Sequence, residues 1–289
     1  MIKPMLCKLT EEAFKSPNYI WEPKLDGARI ITVIKDGKAR LFGRSGTEKT
    51  QLFPDIKFDV ARDCILDGEL LSGTGFNDLQ HRVNRVNGIG RAMQEHPARY
   101  SVFDILELVM REHLELVNVN LRGVPLMNRK EILKLTVKQT DNVSLTEWVD
   151  DGVALFEAMK ANQFEGVVGK SKTGFYTENK REWLKVKCWQ NDNFLAVGYT
   201  AGTGWRISSF GALVLTDAKG TYVGQVGTGF TDHDISNLMD YFIPSTSCPP
   251  WSKQVGEPVT WFLPFLVKVR YLEKTNDGML RFPAFKGCV

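Results

Sequence analysis

No apolar run in the chain approaches the roughly 20 residues that a bilayer-crossing helix needs, which argues against a helical membrane protein. Cysteine is sparse: Cys7, Cys64, Cys188, Cys248 and Cys288 include no Cys-x-x-Cys pair, and no histidine stands at a zinc-ligand spacing, so no structural zinc is expected. The odd count, with an opening MIKPMLCKLTEEAF that carries charges where a secretory leader needs apolar residues, points to reduced thiols in a cytoplasmic, intracellular protein. Charge of one sign is lacking too. With 37 basic and 34 acidic residues the net charge is +3, which permits a nucleic-acid or nucleotide partner without demanding one. No biased tract argues for disorder or a repeat array. What remains is an ordinary folding composition, 43% hydrophobic and 25% charged, over 289 residues, enough for two modest domains with real cores.

Two textures divide the chain. From Trp21 to Phe42 the pattern is strand, turn, strand: IITVI is β-branched, KDGK is a hairpin signal, and ARLFGR follows. CILDGELL (Cys64 to Leu71) and RYSVFDILEL (Arg99 to Leu108) read as buried strands, the first interrupted by an Asp-Gly pair. Between them FNDLQHRVNRV has helical spacing, with Asn77 or Asp78 placed to cap and Arg82 and Arg85 within one turn. Further helices are expected from Pro125 and from Asp150, and FEGVVGKS and EWLKVKCW return to strand character. After Cys188 short β-runs alternate with Gly and Asp turns, as in a small antiparallel barrel, with the boundary in the polar stretch Trp189 to Asn193. The fold class is therefore α+β, with residues 1–189 as antiparallel sheets with flanking helices and residues 190–289 as an all-β barrel. The two GTG tripeptides, at Gly202 to Gly204 and Gly227 to Gly229, lack the order of a phosphate loop and read as hairpin turns.

EPKLDGAR, Glu22 to Arg29, holds a Lys-x-Asp-Gly that on its own is a common pattern, an exposed lysine beside a turn. It gains weight from the order of the charged strand ends after it: Arg29, Arg44, Asp67 and Glu69, Phe103-Asp104, Glu165, then Lys185 and Lys187. Lys185 and Lys187 share one strand face by period two, as a cationic clamp requires. A lysine that attacks a phosphate must be neutral, yet a free amine of pKa about 10.4 is only about 0.1% neutral near pH 7.5. Partial burial and neighbouring cations disfavour the ammonium, and the same cations stabilise charge gathering on phosphoryl oxygens.

In this order the segments resemble the ATP-dependent DNA ligases, within the covalent nucleotidyltransferase superfamily. KPML (Lys3 to Leu6) is similar to the segment entering the adenylation domain and EPKLDGAR to the nucleophile motif. GRSG, LDGEL, VFDIL, EGVVGK and WLKVK resemble the motifs that follow, and VGYTAGTGWRISSFGALVL with VGQVGTGF resembles the OB-fold domain of bacterial end-joining modules. The resemblance implies a minimal two-domain enzyme, a nucleotidyltransferase domain followed by an OB-fold, that seals 5′-phosphate/3′-hydroxyl nicks in duplex DNA as a monomer, using ATP and Mg²⁺ or Mn²⁺. It implies that Lys24 forms lysyl-AMP, Glu22 accepts from the adenine amino group, Arg29 holds ribose or phosphate, and Phe103 stacks on the purine. Glu69 would bind ribose or metal, Glu165 the metal, Lys185 and Lys187 the α-phosphate, and Arg44 the 5′-phosphate at the nick. Candidate DNA contacts are Arg44, Arg82, Arg85, Arg91, Lys170, Lys172 and Arg206.

Singly, each of these residues has an ordinary structural explanation: Phe103 as core, Glu69 and Arg44 as solvated charges, the arginines as a basic face. One departure stands out. The family's closing Arg-x-Asp-Lys, which orients pyrophosphate, is represented only by LRFPAFKGCV, so Arg206, Arg270, Arg281 and Lys286 are all candidates for that contact. Rival readings are a GTP-using capping guanylyltransferase, an RNA ligase, and a DNA-binding protein that kept the fold without catalysis. The residues do not choose among replication, repair, end joining and a viral role.

Overall fold

The computed structural model describes residues 2–73, 76–83, 87–112, 115–275 and 277–289. It divides into two compact units, Met1–Cys188 and Trp189–Val289. The first unit opens with strands β1 (Leu6–Leu9), β2 (Tyr19–Pro23), β3 (Ala28–Lys35) and β4 (Lys38–Gly43), a short β5 (Asp59–Val60) and the long β6 (Cys64–Ser72). Helices α1 (Phe76–Val83) and α2 (Ile89–Glu95) precede β7 (Ala98–Glu112) and β8 (Glu115–Asn120). Then come α3 (Leu126–Thr136), β9 (Val137–Lys138), β10 (Val143–Leu145), α4 (Gly152–Ala161), β11 (Gly166–Ser171) and β12 (Arg181–Lys187).

These strands build two main sheets, in the orders β1-β12-β11-β2 and β10-β7-β6-β3-β4, with β8 on β7. Lys24 lies where the chain leaves β2 in one sheet for β3 in the other. Asp36 and Gly37 take φ of 50° and 68°, the two left-handed residues that a tight β3–β4 hairpin needs. The Asp26-Gly27 and Asp67-Gly68 pairs are not turns of that kind. A Cβ at Gly27 would sit 2.2 Å from the Leu70 carbonyl oxygen, and one at Gly68 would sit 2.6 Å from both the Ser101 carbonyl and the Tyr100 ring. Glycine there lets neighbouring backbone and the Tyr100 ring approach closely; β6 pairs with β3 in continuous register, while its register against β7 shifts at Asp67/Gly68.

Of the expected helices, α3 begins just after Pro125 and α4 is capped by Asp151, whose carboxylate accepts from the Ala154 N–H at 3.1 Å. α1 starts at Phe76, so Asn77 and Asp78 lie inside the helix rather than capping it; Arg85 lies outside the described residues. α2 and β8 are elements that the sequence pattern did not suggest. The core between the second sheet and its helices gathers Ile30, Leu66, Leu79, Tyr100, Val102 and Leu133. A smaller cluster of Met5, Ile31, Phe103, Leu106, Tyr176 and Trp183 draws on both sheets.

The second unit is a five-stranded antiparallel sheet, β15-β14-β13-β16-β17, of β13 (Gln190–Ala201), β14 (Phe210–Thr216), β15 (Tyr222–Val226), β16 (Val259–Tyr271) and β17 (Ala284–Cys288). The register shift at Ala196/Gly198 lets the two long strands bend. Main-chain bonds from Leu280 N–H to Val223 (2.9 Å) and from Phe285 N–H to Thr228 (2.9 Å) draw the sheet's edges together. Phe194, Phe210, Phe262 and Phe285 fill the interior. A helix, α5 (Asp232–Met239), held by a Thr231/Asp234 capping box, adds to the sheet-only expectation. Among the described residues no helix is long and apolar enough to cross a membrane.

Candidate active site

At the junction between the two sheets of the first unit, β11, β12 and the Lys24 link converge. Lys24 donates its backbone N–H to the Gly166 carbonyl at 2.8 Å, which pins the link against the start of β11. Its Nζ lies 2.5 Å from Oε2 of Glu165, and the other oxygen of that carboxylate takes Nζ of Lys187 at 3.2 Å. Lys185 stands two residues from Lys187 on the same face of β12, its pKa held below the usual lysine value chiefly by burial, with Lys187 and Lys24 adding repulsion. The expected nucleophile, its acid and the two-lysine clamp thus meet in one place.

Below this group the pocket narrows to about 80 Å³, lined by Glu22, Lys24, Arg29, Glu69, Phe103 and Trp183 among others. Phe103 is 6% exposed and meets Trp183 edge-on at 5.9 Å. Two cations lie against these rings. The Arg29 guanidinium is 4.4 Å from the Phe103 centroid, and the Lys170 ammonium is 4.3 Å from Phe103 and 4.1 Å from Trp183. Arg29 grips buried Asp67 through two bonds of 2.5 and 2.6 Å, and the Tyr176 hydroxyl donates to the same carboxylate at 2.6 Å. Asp104, beside Phe103, is held in the same way by Arg129 of α3, at 2.7 and 2.8 Å with both side chains fully buried.

Glu22 is 2% exposed and carries two counter-ions: Lys170, at 2.6 Å from Oε2, and Lys130 of α3 on Oε1. Period two explains part of this. Val168 pairs with Glu22 and Lys170 with Ile20, so Lys170 is a diagonal neighbour of Glu22 on the same sheet face. Lys170, expected to touch DNA, is instead 1% exposed, and burial pushes its pKa down to about 8 against the pull of Glu22. Arg82 is corrected likewise: 1% exposed, it spans Asp55 with bonds of 2.7 and 3.0 Å, because the carboxylate and two carbonyl oxygens inside outweigh hydration of the guanidinium.

Of the remaining DNA candidates, Arg44 is exposed in the turn after β4, Arg91 pairs with Glu95 on the surface of α2, and Lys172 meets Asp150 at 2.8 Å. Arg206, half-buried, donates to the carbonyls of Gly211 (3.2 Å) and Gly227 (3.1 Å). Arg281 pairs with Glu273, Arg270 lies over Trp189 at 4.5 Å, and Lys286 is exposed.

Glu69, half-buried opposite Arg29, has its pKa raised to about 7, first by burial and then by the charges of Asp67 and Glu165, against the pull of Arg29 and Lys24. Among the described residues no cluster of three or more His, Cys, Asp or Glu is placed to hold a metal. The two carboxylates Glu69 and Glu165 suit a hard cation such as Mg²⁺, which keeps most of its waters and takes one or two protein carboxylates. A larger groove of about 530 Å³ lies by Ile31, Val33 and Phe42, but its charges are matched, Arg40 with Glu48 and Arg122 with Glu178. Chemistry, not size, selects the Lys24 pocket. Lys130, Arg129 and Tyr176 were not legible as site residues in the sequence; Lys170 carried a period-two signal, whereas a helix position such as Lys130 carried none.

Residues 4–187 match the family model described as the ATP dependent DNA ligase domain, and residues 203–288 match the ATP dependent DNA ligase C terminal region. The chain belongs to the ATP-dependent DNA ligase family. The multifunctional non-homologous end joining protein LigD of Mycolicibacterium smegmatis is 31% identical over 95% of the chain, and the DNA ligase of Pyrobaculum islandicum is 31% identical over 86%. The chain spans 36% and 46% of those ligase-family proteins, respectively. Among solved structures, a Lig E DNA ligase matches with a TM-score of 0.67 at 17% identity, each chain covering 100% of the other. A mycobacterial DNA ligase D solved with ATP and MES matches at 0.54 and 24% identity, over 100% of this chain and 95% of that one. These likenesses establish the fold: a ligase-type nucleotidyltransferase domain with a C-terminal OB-fold domain.

Proposed function

We propose that this chain is an ATP-dependent ligase that seals nicks in duplex DNA through a lysyl-AMP intermediate, acting as a monomer. The observation that carries the reading is Lys24 Nζ 2.5 Å from Glu165, with Lys187 on the same carboxylate, above a pocket floored by Phe103 and Glu22. Self-adenylation forms a bond between Lys24 Nζ and the α-phosphorus and breaks the α–β anhydride, releasing pyrophosphate and the amine's proton. Before attack, the Lys24 ammonium gives up a separate proton to Glu165, with which it is in contact, so that a neutral amine is the nucleophile. Lys185 and Lys187 face the phosphoryl oxygens on which charge gathers. When bound, a divalent cation on Glu69 and Glu165 supplies further neutralisation of phosphate charge. AMP then passes to the 5′-phosphate of the nick, gripped by exposed Arg44, and the 3′-hydroxyl displaces it as the strand closes.

A cavity of about 80 Å³ is smaller than the roughly 300 Å³ at which ligand pockets begin. Nucleotide entry therefore moves Arg29 and Lys170 off the Phe103 ring, which frees an aromatic face that contributes on the order of 1–3 kcal/mol when a base stacks on it. The test is intact-mass measurement after incubation with ATP and Mg²⁺, followed by sealing of a labelled nicked duplex. An AMP adduct on the wild type that Lys24→Ala lacks, together with sealing, is the expected result. Binding of nicked DNA with no adduct overturns the reading in favour of a non-catalytic DNA-binding protein, and an adduct formed from GTP rather than ATP favours a capping-type enzyme.

A further inference from the structure

We infer that Lys130, on α3 and outside every segment that resembles a ligase motif, is a positioning residue that sets the enzyme's choice of purine by fixing Glu22. The inference rests on the reading above in which Glu22 meets the base. Glu22 and Lys170 wall the pocket, while Lys130 reaches Oε1 of Glu22 from α3 without lining the cavity. The lysine is itself buried, 8% exposed, on a helix whose preceding residue, Arg129, is locked to Asp104. α3 thus steadies two neighbouring acids with consecutive cations: Asp104 next to the Phe103 platform, and Glu22 at its edge.

This arrangement bears on selectivity because Glu22 has two oxygens and two cationic partners. Lys170, the one facing the pocket, lies on the aromatic rings that a base would cover, so an arriving base competes with it for Oε2. Lys130 keeps its hold on Oε1 throughout. A carboxylate held at one oxygen presents the other as an acceptor. It attracts the 6-amino group of adenine and repels the 6-oxo group of guanine or hypoxanthine. Without Lys130 the carboxylate turns freely toward Lys170, and an ammonium left near the base is a donor that a 6-oxo purine accepts. The residue acts through Glu22 and touches no reacting atom.

The experiment compares lysyl-nucleotide formation from ATP and from inosine triphosphate in wild type, Lys130→Met, Lys130→Arg, Glu22→Gln and the Lys130→Met/Glu22→Gln double variant, with thermal melting of each. Expected is a fall of about tenfold or more in the ATP preference of Lys130→Met, seen mainly in KM, with partial rescue in Lys130→Arg. The double variant should be no less selective than Glu22→Gln alone, since interacting sites are non-additive. A folded Lys130→Met that keeps the wild-type preference, an additive double variant, or a Glu22→Gln that leaves the preference unchanged overturns the inference while the adduct stands. Wild type that forms no adduct at all sinks the proposed function instead. If Lys130→Met does not fold, Lys130→Gln, which keeps a donor without the charge, carries the same comparison; collapse of both makes the lysine structural and the inference wrong.

Discussion

Lys170 links pocket chemistry to stability in a way that pH can read out. Its ammonium is 1% exposed between two aromatic rings and Glu22, and burial pushes its pKa from 10.5 down to about 8. At about 1.4 kcal/mol per pH unit, that difference disfavours the charged form in the folded state by about 3 kcal/mol. The sign follows from proton binding. Below pH 8 both folded and unfolded chains hold the proton, and the full burial penalty acts. Between about pH 8 and 10.5 the unfolded chain still binds it while the folded chain has lost it, so this group's contribution becomes more favourable as pH rises. Other groups titrate in the same range, so the readout is a difference: the unfolding free energy of wild type minus that of Lys170→Met, from denaturant titrations at fixed ionic strength. The difference should shift in favour of wild type by about 3 kcal/mol, within a factor of two, over that window. A flat difference from pH 7 to 10.5 would refute the reasoning, since it would mean that the amine is solvated and lies off the rings.

Removing Arg129 should be severe: Arg129→Met leaves Asp104 buried without its cation and should cost about 3–5 kcal/mol in the stability of the first unit. Asp104→Asn/Arg129→Met should recover part of that loss in the same denaturant assay, because no bare charge remains. Arg44→Ala should form lysyl-AMP at the wild-type rate but bind nicked duplex more weakly, with the slope of log affinity against log salt reduced by about one; an unchanged slope would remove Arg44 from the DNA surface. Chelation of divalent cations should abolish adduct formation, and Glu165→Gln should raise the Mg²⁺ concentration needed for half-maximal adduct, whereas equal Mg²⁺ dependence would remove Glu165 as a ligand.

Local chemistry makes much of this protein legible in its sequence. The Asp36-Gly37 hairpin follows from two residues that accept left-handed backbone, and the shared face of Lys185 and Lys187 follows from the two-residue period of a strand. The ordered motifs point to the family and the fold, and Lys24 with Glu165 can be named because both fall within such motifs. What the linear order of residues does not reveal is which cations lie inside. Arg82 and Lys170 read as surface charges like any other, yet each is drawn inward by an acid. Asp55 lies 27 residues before Arg82, and Glu22 is claimed both by Lys170 and by Lys130, 108 residues away. Whether an arginine or lysine faces water or a buried carboxylate depends on which helix face packs against which sheet. That is settled by contacts far apart in the chain, so tertiary structure alone decided the burial of Arg82 and Lys170 and the second counter-ion on Glu22.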